Sequence, residues 1–234
     1  MAPFPIVDTP PAGPPTGAVV ALKPVATAKS RLAPLPDALR RRLAWTMAVD
    51  TLTALADAVD QVLVVSDEPA LQSRLERLGL AVTVLAEPGP GGMNAALAYG
   101  AGQLTERGCG LVLACVGDVP ALRPVSVRRV LAAAQGRPRS HLADASGVGT
   151  TMLLAHGALL PRFQGPSAAA HRASGAEPLT DDRLGGAVPD ARRDVDTVQD
   201  LAEAVALGVG PATRALLAAD SGRPAGDLVE SPGP

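Results

Sequence analysis

Lysine is almost missing from this chain. Of its 21 basic residues only Lys23 and Lys29 are lysines, and both fall in one short segment, ALKPVATAKSRL, together with Arg31. Aromatic residues are nearly as scarce, with one Trp, one Tyr and two Phe, so the interior must be built from aliphatic side chains and alanine. There is no excess of charge of either sign. A net charge of −2 gives no footprint for wrapping nucleic acid or lying on an anionic membrane, and neither partner is expected. Only two cysteines occur, Cys109 and Cys115 in GCGLVLACV. They could form a redox pair, but their place on or beside an apolar strand reads as two reduced core thiols. No apolar run reaches the length needed to cross a bilayer. The opening residues, MAPFPIVDTPPAGPPTG, lack the basic region and apolar stretch of a secretory signal. A cytoplasmic location is expected.

What is present fits one α/β domain: 234 residues, 47% of them hydrophobic. Residues 1–17 and 220–234 are rich in Pro and Gly and read as a disordered leader and tail, leaving 18–219 as the folded unit. Short apolar strands are expected at 18–22, 61–66, 81–85 and 111–116, with further strands near 140–144 and 150–155. Helices are expected from Asp37, read as an N-cap, to about Ala58, and from Pro69 to Leu78. Others should run from Asn94 to about Arg107, after Pro124, near 168–174, and at about 197–207 and 211–219. Strand–helix alternation with nearly continuous apolar strands means a mostly parallel, mixed sheet covered by helices on both faces. Ligands in such sheets lie beyond the carboxyl ends of the strands. Lys23, Lys29, Ser66, Asp67, the 87–94 loop and Asp118 therefore converge on one rim.

Several of these residues suit phosphate and metal chemistry. Two flexible ammonium groups and Arg31 on one loop at a strand end suggest a triphosphate or phosphorylated substrate, although drift of the coding sequence toward arginine would also leave two lysines together. Asp118 follows an apolar strand and Gly117, with Pro120 fixing the turn beyond. It is placed to hold Mg²⁺, which takes oxygen ligands, or else to form a turn or helix cap. Asp194 and Asp196 in RRDVDT alternate as on an extended segment, so one of them should face Asp118, and Thr197 should cap the next helix. The loop EPGPGGMN, with Gly92 and Asn94, offers backbone N–H groups at a helix start for a phosphate or a base edge, or makes a tight turn. Thr150, Thr151, Gly165 and Ser167 could donate to a phosphorylated carboxylate. His171 could reach the same pocket or be structural. Neither a Walker loop, a dinucleotide fingerprint, a zinc spacing nor a Ser/His/Asp order is present.

Taken in order, LKPVATAKSRLAP, VSDEP, PGPGGMNAAL, GDVPAL, GVGTTML, PRFQGPSAAAHRASGA and RRDVDTVQDLAEAVALGVGPAT closely resemble the CofC/FbiD guanylyltransferases of coenzyme F420 biosynthesis. The match covers about 18–215. The resemblance implies a single-domain nucleotidyltransferase fold like the GT-A type. It also implies transfer of GMP from GTP to phosphoenolpyruvate or 2-phospho-L-lactate, with the product handed to the next enzyme of the pathway. On the matching positions it implies a divalent metal, Mg²⁺, on Asp118 and Asp194, and the phosphorylated acid on Thr150, Gly165 and Ser167. Lys23, Lys29 and Arg31 would neutralise phosphate charge, and Ser66, Gly92 and Asn94 would hold the nucleotide. The family's Phe-Gly is here Phe163-Gln164-Gly165, which makes Gly165 the substitute glycine, and its DLP is Asp118-Val119-Pro120. The alanine- and arginine-heavy composition looks actinobacterial, which favours phosphoenolpyruvate among the acceptors. Two other readings stand beside this one: a related nucleotidyltransferase using CTP, UTP or ATP, and a non-catalytic GTP-binding protein.

Overall fold

Apolar strands too short to stand alone find cover on both faces by alternating with helices. The computed structural model describes residues 13–23, 32, 35–89 and 91–221. In chain order the elements are β1 (Thr16–Ala21), α1 (Asp37–Ala56), β2 (Gln61–Val65), α2 (Leu71–Glu76), β3 (Thr83–Leu85), α3 (Gly92–Glu106), β4 (Leu111–Cys115), α4 (Pro124–Ala134), β5 (Arg139–Ala143), β6 (Thr150–Ala155), α5 (Ser167–Ala173), β7 (Glu177–Pro178), α6 (Asp181–Leu184), α7 (Pro189–Arg192), α8 (Val198–Leu207) and α9 (Pro211–Ser221). Asp37 is the first helical residue of α1 rather than its cap. Pro36 takes the cap position, and the Asp37 carboxylate pairs with Arg40 one turn on. The four-residue helices α6 and α7 and the two-residue β7 were not legible as periodic segments.

The seven strands form one sheet in the order β3-β2-β1-β4-β6-β5-β7. β1, β2, β3 and β4 run parallel, while β6 is antiparallel to both β4 and β5. β1 is the switch: the chain leaves it toward β2 on one side and returns as β4 on the other. Because β6 runs against β4, its first residue, Thr150, reaches the rim where β4 ends, and Cys115 pairs with Met152 there. Parallel strand ends and the start of β6 thus open on one crevice.

Side-chain alternation divides the interior in two. On one face Ala18, Val20, Leu113, Cys115, Met152 and Leu154 pack with Leu52, Leu55, Val127 and Val130 from α1 and α4. On the other, Val19, Leu63, Val65, Val112 and Leu153 pack with Ala96, Leu97, Ala101 and Leu104 of α3. A third cluster joins the outer side of α1 (Leu43, Met47) to Leu201, Ala204 and Leu216 of α8 and α9. Burial on both faces is why the strands read as unbroken apolar runs. Cys109 and Cys115 are buried free thiols, and burial pushes the Cys115 thiol up. Among the described residues no single helix is long and apolar enough to cross a membrane.

Candidate active site

The crevice at the strand ends is a cavity of about 790 Å³. Leu22 and Lys23 line it after β1, Glu68 after β2, Glu87, Gly92 and Met93 after β3, and Gly117 and Asp118 after β4. Gly117 leaves room for Leu22 where β4 leaves the sheet, since a Cβ there would lie 2.5 Å from Leu22 Cδ2 and 3.3 Å from Val20 Cγ1. Gly92 opens α3 at a φ of +67°, a region that glycine enters without steric cost.

Asp118 sits on a peptide unit fixed at both ends. Its C=O accepts from Val195 N–H at 3.0 Å, and the following Val119 N–H donates to Thr51 Oγ1 of α1 at 3.0 Å. The first of these bonds brings Asp194 to the same rim. Burial, together with the charges of Asp118, Asp144 and Asp196, raises the Asp194 carboxyl to about 7. Asp196 corrects the expectation that only one carboxylate of RRDVDT would face inward, because both line the cavity. The alternation rule needs a flat strand. Here α7 ends at Arg192, and the Asp196 N–H already donates to Asp200 Oδ2 at 3.3 Å as the chain bends into α8. The expected Thr197 cap is present, reciprocated by Asp200.

Asp144, at the end of β5, was missed. It lines the cavity while its Oδ1 accepts from Ser146 Oγ at 2.9 Å and Val148 N–H at 3.1 Å. The turn sequence Asp-Ala-Ser-Gly between two strands was the available signal. Among the described residues no three His, Cys, Asp or Glu side chains converge closely enough to enclose a metal ion by themselves. A donor set of two carboxylates suits a hard divalent cation that completes its shell with phosphate oxygens and water.

Thr150, Gly165 and Ser167 line the same cavity. Thr150 Oγ1 lies 3.0 Å from His171 Nδ1, and Arg162 N–H donates to His171 Nε2 at 2.9 Å. Phe163 sets its ring edge-on to the imidazole at 5.0 Å between centroids, and its N–H donates to Asn94 Oδ1 at 2.8 Å. Gly165 has a φ of +58° and faces the cavity, whereas Gln164 does not line it. Burial pushes the His171 ring down to about 4, helped by nearby positive charge from His141, Arg139 and Arg162.

Of the residues expected at the nucleotide end, Lys23 and Gly92 line the cavity. Lys29 and Arg31 lie outside the described residues. Ser66 and Asn94 do not line it. The Ser66 hydroxyl is buried and accepts from Glu68 N–H at 3.1 Å, as a hydroxyl closing a local turn does. The Asn94 side-chain oxygen accepts from Phe163 N–H. Asp67 accepts from Glu87 N–H at 2.9 Å and so joins the β2 and β3 exits. Trp45 and Glu68, which line the cavity, were missed: the Arg74 guanidinium lies 3.8 Å from the Trp45 ring centroid and 3.5 Å from Glu68. Trp45 was hidden because a helical residue among apolar neighbours reads as core.

The MobA-like NTP transferase domain matches residues 37–186. The phosphoenolpyruvate guanylyltransferase of Geodermatophilus obscurus is 46% identical over 217 residues, covering 89% of this chain and 96% of that protein. The protein of the same name from Streptomyces coelicolor is 48% identical over 206 residues, covering 86% and 94% respectively. Among solved structures, a putative nucleotide-diphospho-sugar transferase from Desulfovibrio desulfuricans superposes with a TM-score of 0.64 at 16% identity, over 88% of this chain and 95% of that one. That likeness is one of fold. The sequence relatives say more: this chain belongs to the phosphoenolpyruvate guanylyltransferase family, built on a MobA-like NTP transferase domain.

Proposed function

We propose that the chain transfers GMP from GTP to phosphoenolpyruvate, forming enolpyruvyl-2-diphospho-5'-guanosine and pyrophosphate in coenzyme F420 biosynthesis. The observation that carries this reading is a single cavity lined both by Asp118 and Asp194 and by Thr150, Gly165 and Ser167, on a chain 46–48% identical to relatives of that name.

A phosphate oxygen of the acceptor attacks the α-phosphorus of GTP. The bond from that phosphorus to the bridging oxygen breaks, and pyrophosphate leaves with the electron pair. The attacking oxygen is already anionic, so no side-chain base is needed, and catalysis consists of alignment and charge neutralisation. Asp118 and Asp194 would hold Mg²⁺, which when bound supplies positive charge to the phosphate oxygens. Lys23, with Lys29 and Arg31 from the segment outside the described residues, neutralises the triphosphate. Thr150, Gly165 and Ser167 orient the acceptor through hydroxyl and peptide donors. Gly92 brings backbone close to the nucleotide at the start of α3. These substrates fit a cytoplasmic reaction, with the product handed to the next enzyme of the pathway.

The test is pyrophosphate release from GTP and Mg²⁺ with phosphoenolpyruvate, 2-phospho-L-lactate or 3-phosphoglycerate, with mass detection of the product. Turnover with phosphoenolpyruvate is expected. Asp118→Asn, which removes one ligand charge without changing size, should lower kcat by about 100-fold or more in folded protein. Silence with all three acceptors, from protein that still binds GTP, would refute the assignment.

A further inference from the structure

We infer that His171 is a positioning residue. It fixes the direction of the Thr150 hydroxyl proton, so that Thr150 is held as a hydrogen-bond donor to the anionic acceptor. The inference rests on the reading above in one respect, that the acceptor binds at Thr150.

The argument is a proton count. Arg162 N–H lies 2.9 Å from His171 Nε2, and a peptide N–H can only donate. Nε2 must therefore be the bare nitrogen. A neutral imidazole with a bare Nε2 carries its proton on Nδ1, which is 3.0 Å from Thr150 Oγ1. His171 thus donates, and the threonine oxygen accepts.

A hydroxyl has one proton. With Nδ1–H on one lone pair, the Thr150 proton must be directed elsewhere, and among the described residues no protein acceptor takes it. Thr150 lines the cavity, so the proton serves what binds there. Thr151 shows the contrast, since its hydroxyl donates to Ala191 C=O at 2.8 Å and is spent on the fold. The other tautomer would set Nε2–H against Arg162 N–H, two donors facing each other beside a ring that is fully buried. An imidazolium would do the same. Burial favours the neutral ring, whose pKa falls to about 4.

One ring therefore joins both halves of the acceptor end. Nδ1 orients Thr150 on β6, and Nε2 holds the backbone of the loop that carries Gly165. Free imidazole in water has no partner to impose this tautomer; here the Arg162 amide imposes it.

The test has two independent readouts on the full-length protein. The first is ¹⁵N–¹H NMR of histidine-labelled protein. Only three histidines are present, so His171 can be assigned by its loss in His171→Gln. An Nδ1–H signal is expected at neutral pH, and an Nε2–H or doubly protonated ring would overturn the inference. The second is steady-state kinetics. Glutamine can place its carbonyl oxygen near the Nε2 position, which keeps an acceptor for Arg162 and removes the donor to Thr150.

Thr150→Val and His171→Gln should each raise the acceptor KM by about tenfold, leaving the GTP KM unchanged, with Thr150→Ser restoring it. The double variant should be no worse than Thr150→Val alone, since both remove one oriented proton. Additive losses, or equal rises in the GTP KM, would overturn the inference. A protein that uses no acceptor yet shows the Nδ1–H tautomer would sink the proposed function and support the proton assignment.

Discussion

Replacing Thr51 by valine should damage the site without touching the cavity. Thr51 is fully buried in α1. Its hydroxyl donates to Met47 C=O at 2.9 Å and accepts from Val119 N–H at 3.0 Å. Valine exchanges the oxygen for a methyl group at nearly constant volume, and both residues are β-branched, so helix propensity and rotamer hardly change. What changes is that Val119 N–H faces carbon. A buried donor left without a partner costs about 1–3 kcal/mol, so the fall in unfolding free energy should be about 2 kcal/mol. For a chain of this size that lowers Tm by roughly 4–8 °C.

The same N–H belongs to the peptide unit that begins at Asp118, whose carbonyl is held by Val195. Releasing one end lets that unit turn and changes the distance between Asp118 and Asp194. Under the proposed reaction kcat should drop about tenfold and the Mg²⁺ requirement should rise, as misplacement by a fraction of an ångström does in aligned sites. Thr51→Ser keeps both hydrogen bonds and loses one methyl group, about 1 kcal/mol. It should stay near wild type in kcat. Urea unfolding and pyrophosphate release across a Mg²⁺ titration decide the matter. A valine variant with wild-type stability and Mg²⁺ dependence, or a serine variant as impaired as the valine one, would refute the reasoning.

Three other outcomes follow from buried geometry. Asp50 of α1 accepts from Ala212 N–H and Thr213 N–H, both at 2.9 Å, and so caps α9 from another helix. Asp50→Asn removes the charge and turns a donor toward a donor; a loss of about 2–3 kcal/mol is expected in denaturant titration, and a change under about 0.5 kcal/mol would contradict the cap. Gly100 lets α3 approach the sheet, since a Cβ would lie 2.5 Å from Val19 Cγ2 and 2.9 Å from Val65 Cγ2. Gly100→Ala gains about 1 kcal/mol of helix propensity but forces α3 outward at about 1–3 kcal/mol, so thermal melts should show a net loss or no gain; a clearly stabilised protein would refute the contact. His171 has its pKa lowered from 6.5 to about 4, so the folded state favours the neutral ring. That stability is present above about pH 6.5 and is lost as pH falls through about 4, roughly 3 kcal/mol in all, and His171→Gln should flatten this part of the acid limb in unfolding curves measured at several pH values. Equal slopes for the two proteins would count against it.

The sheet and most helices were legible because burial on both faces imprints continuous apolar strands, and the intervening helices are long enough to show periodicity. β7, α6 and α7 escaped because two to four residues carry no period. The rim itself follows from the rule for parallel sheets, and it correctly gathered Lys23, Gly92 and Asp118. Thr150 was named as a possible donor but not placed on the rim, since its place depends on β6 running antiparallel to β4, which periodicity does not encode. Ser66 and Asn94 show what the rim rule leaves out. Neither lines the cavity, and the side-chain oxygen of each accepts from a backbone N–H. A sequence shows where a polar side chain sits along an element but not which buried donor claims it. Asp196 failed for a related reason, because alternation presumes a strand and the chain there is already turning into α8.

The sign of the cavity's charge connects these details to the proposed chemistry. Its described wall carries Glu68, Glu87, Asp118, Asp144, Asp194 and Asp196 against Lys23. A bare triphosphate would meet repulsion at close range, where screening by salt is weakest. The wall already strains to hold its own charge, since Asp194 is raised to about 7 by burial and by three neighbouring carboxylates. A divalent cation relieves both repulsions together, that among the carboxylates and that between them and the phosphates. Nucleotide and cation affinities are then reciprocally coupled. Thr150, Gly165 and Ser167 line the same cavity with hydroxyl and peptide groups that carry no charge of their own. Under the proposed reaction these donors would orient the phosphorylated acid without a fixed ammonium or guanidinium capturing its nucleophilic oxygen, and so leave that charge for the α-phosphorus.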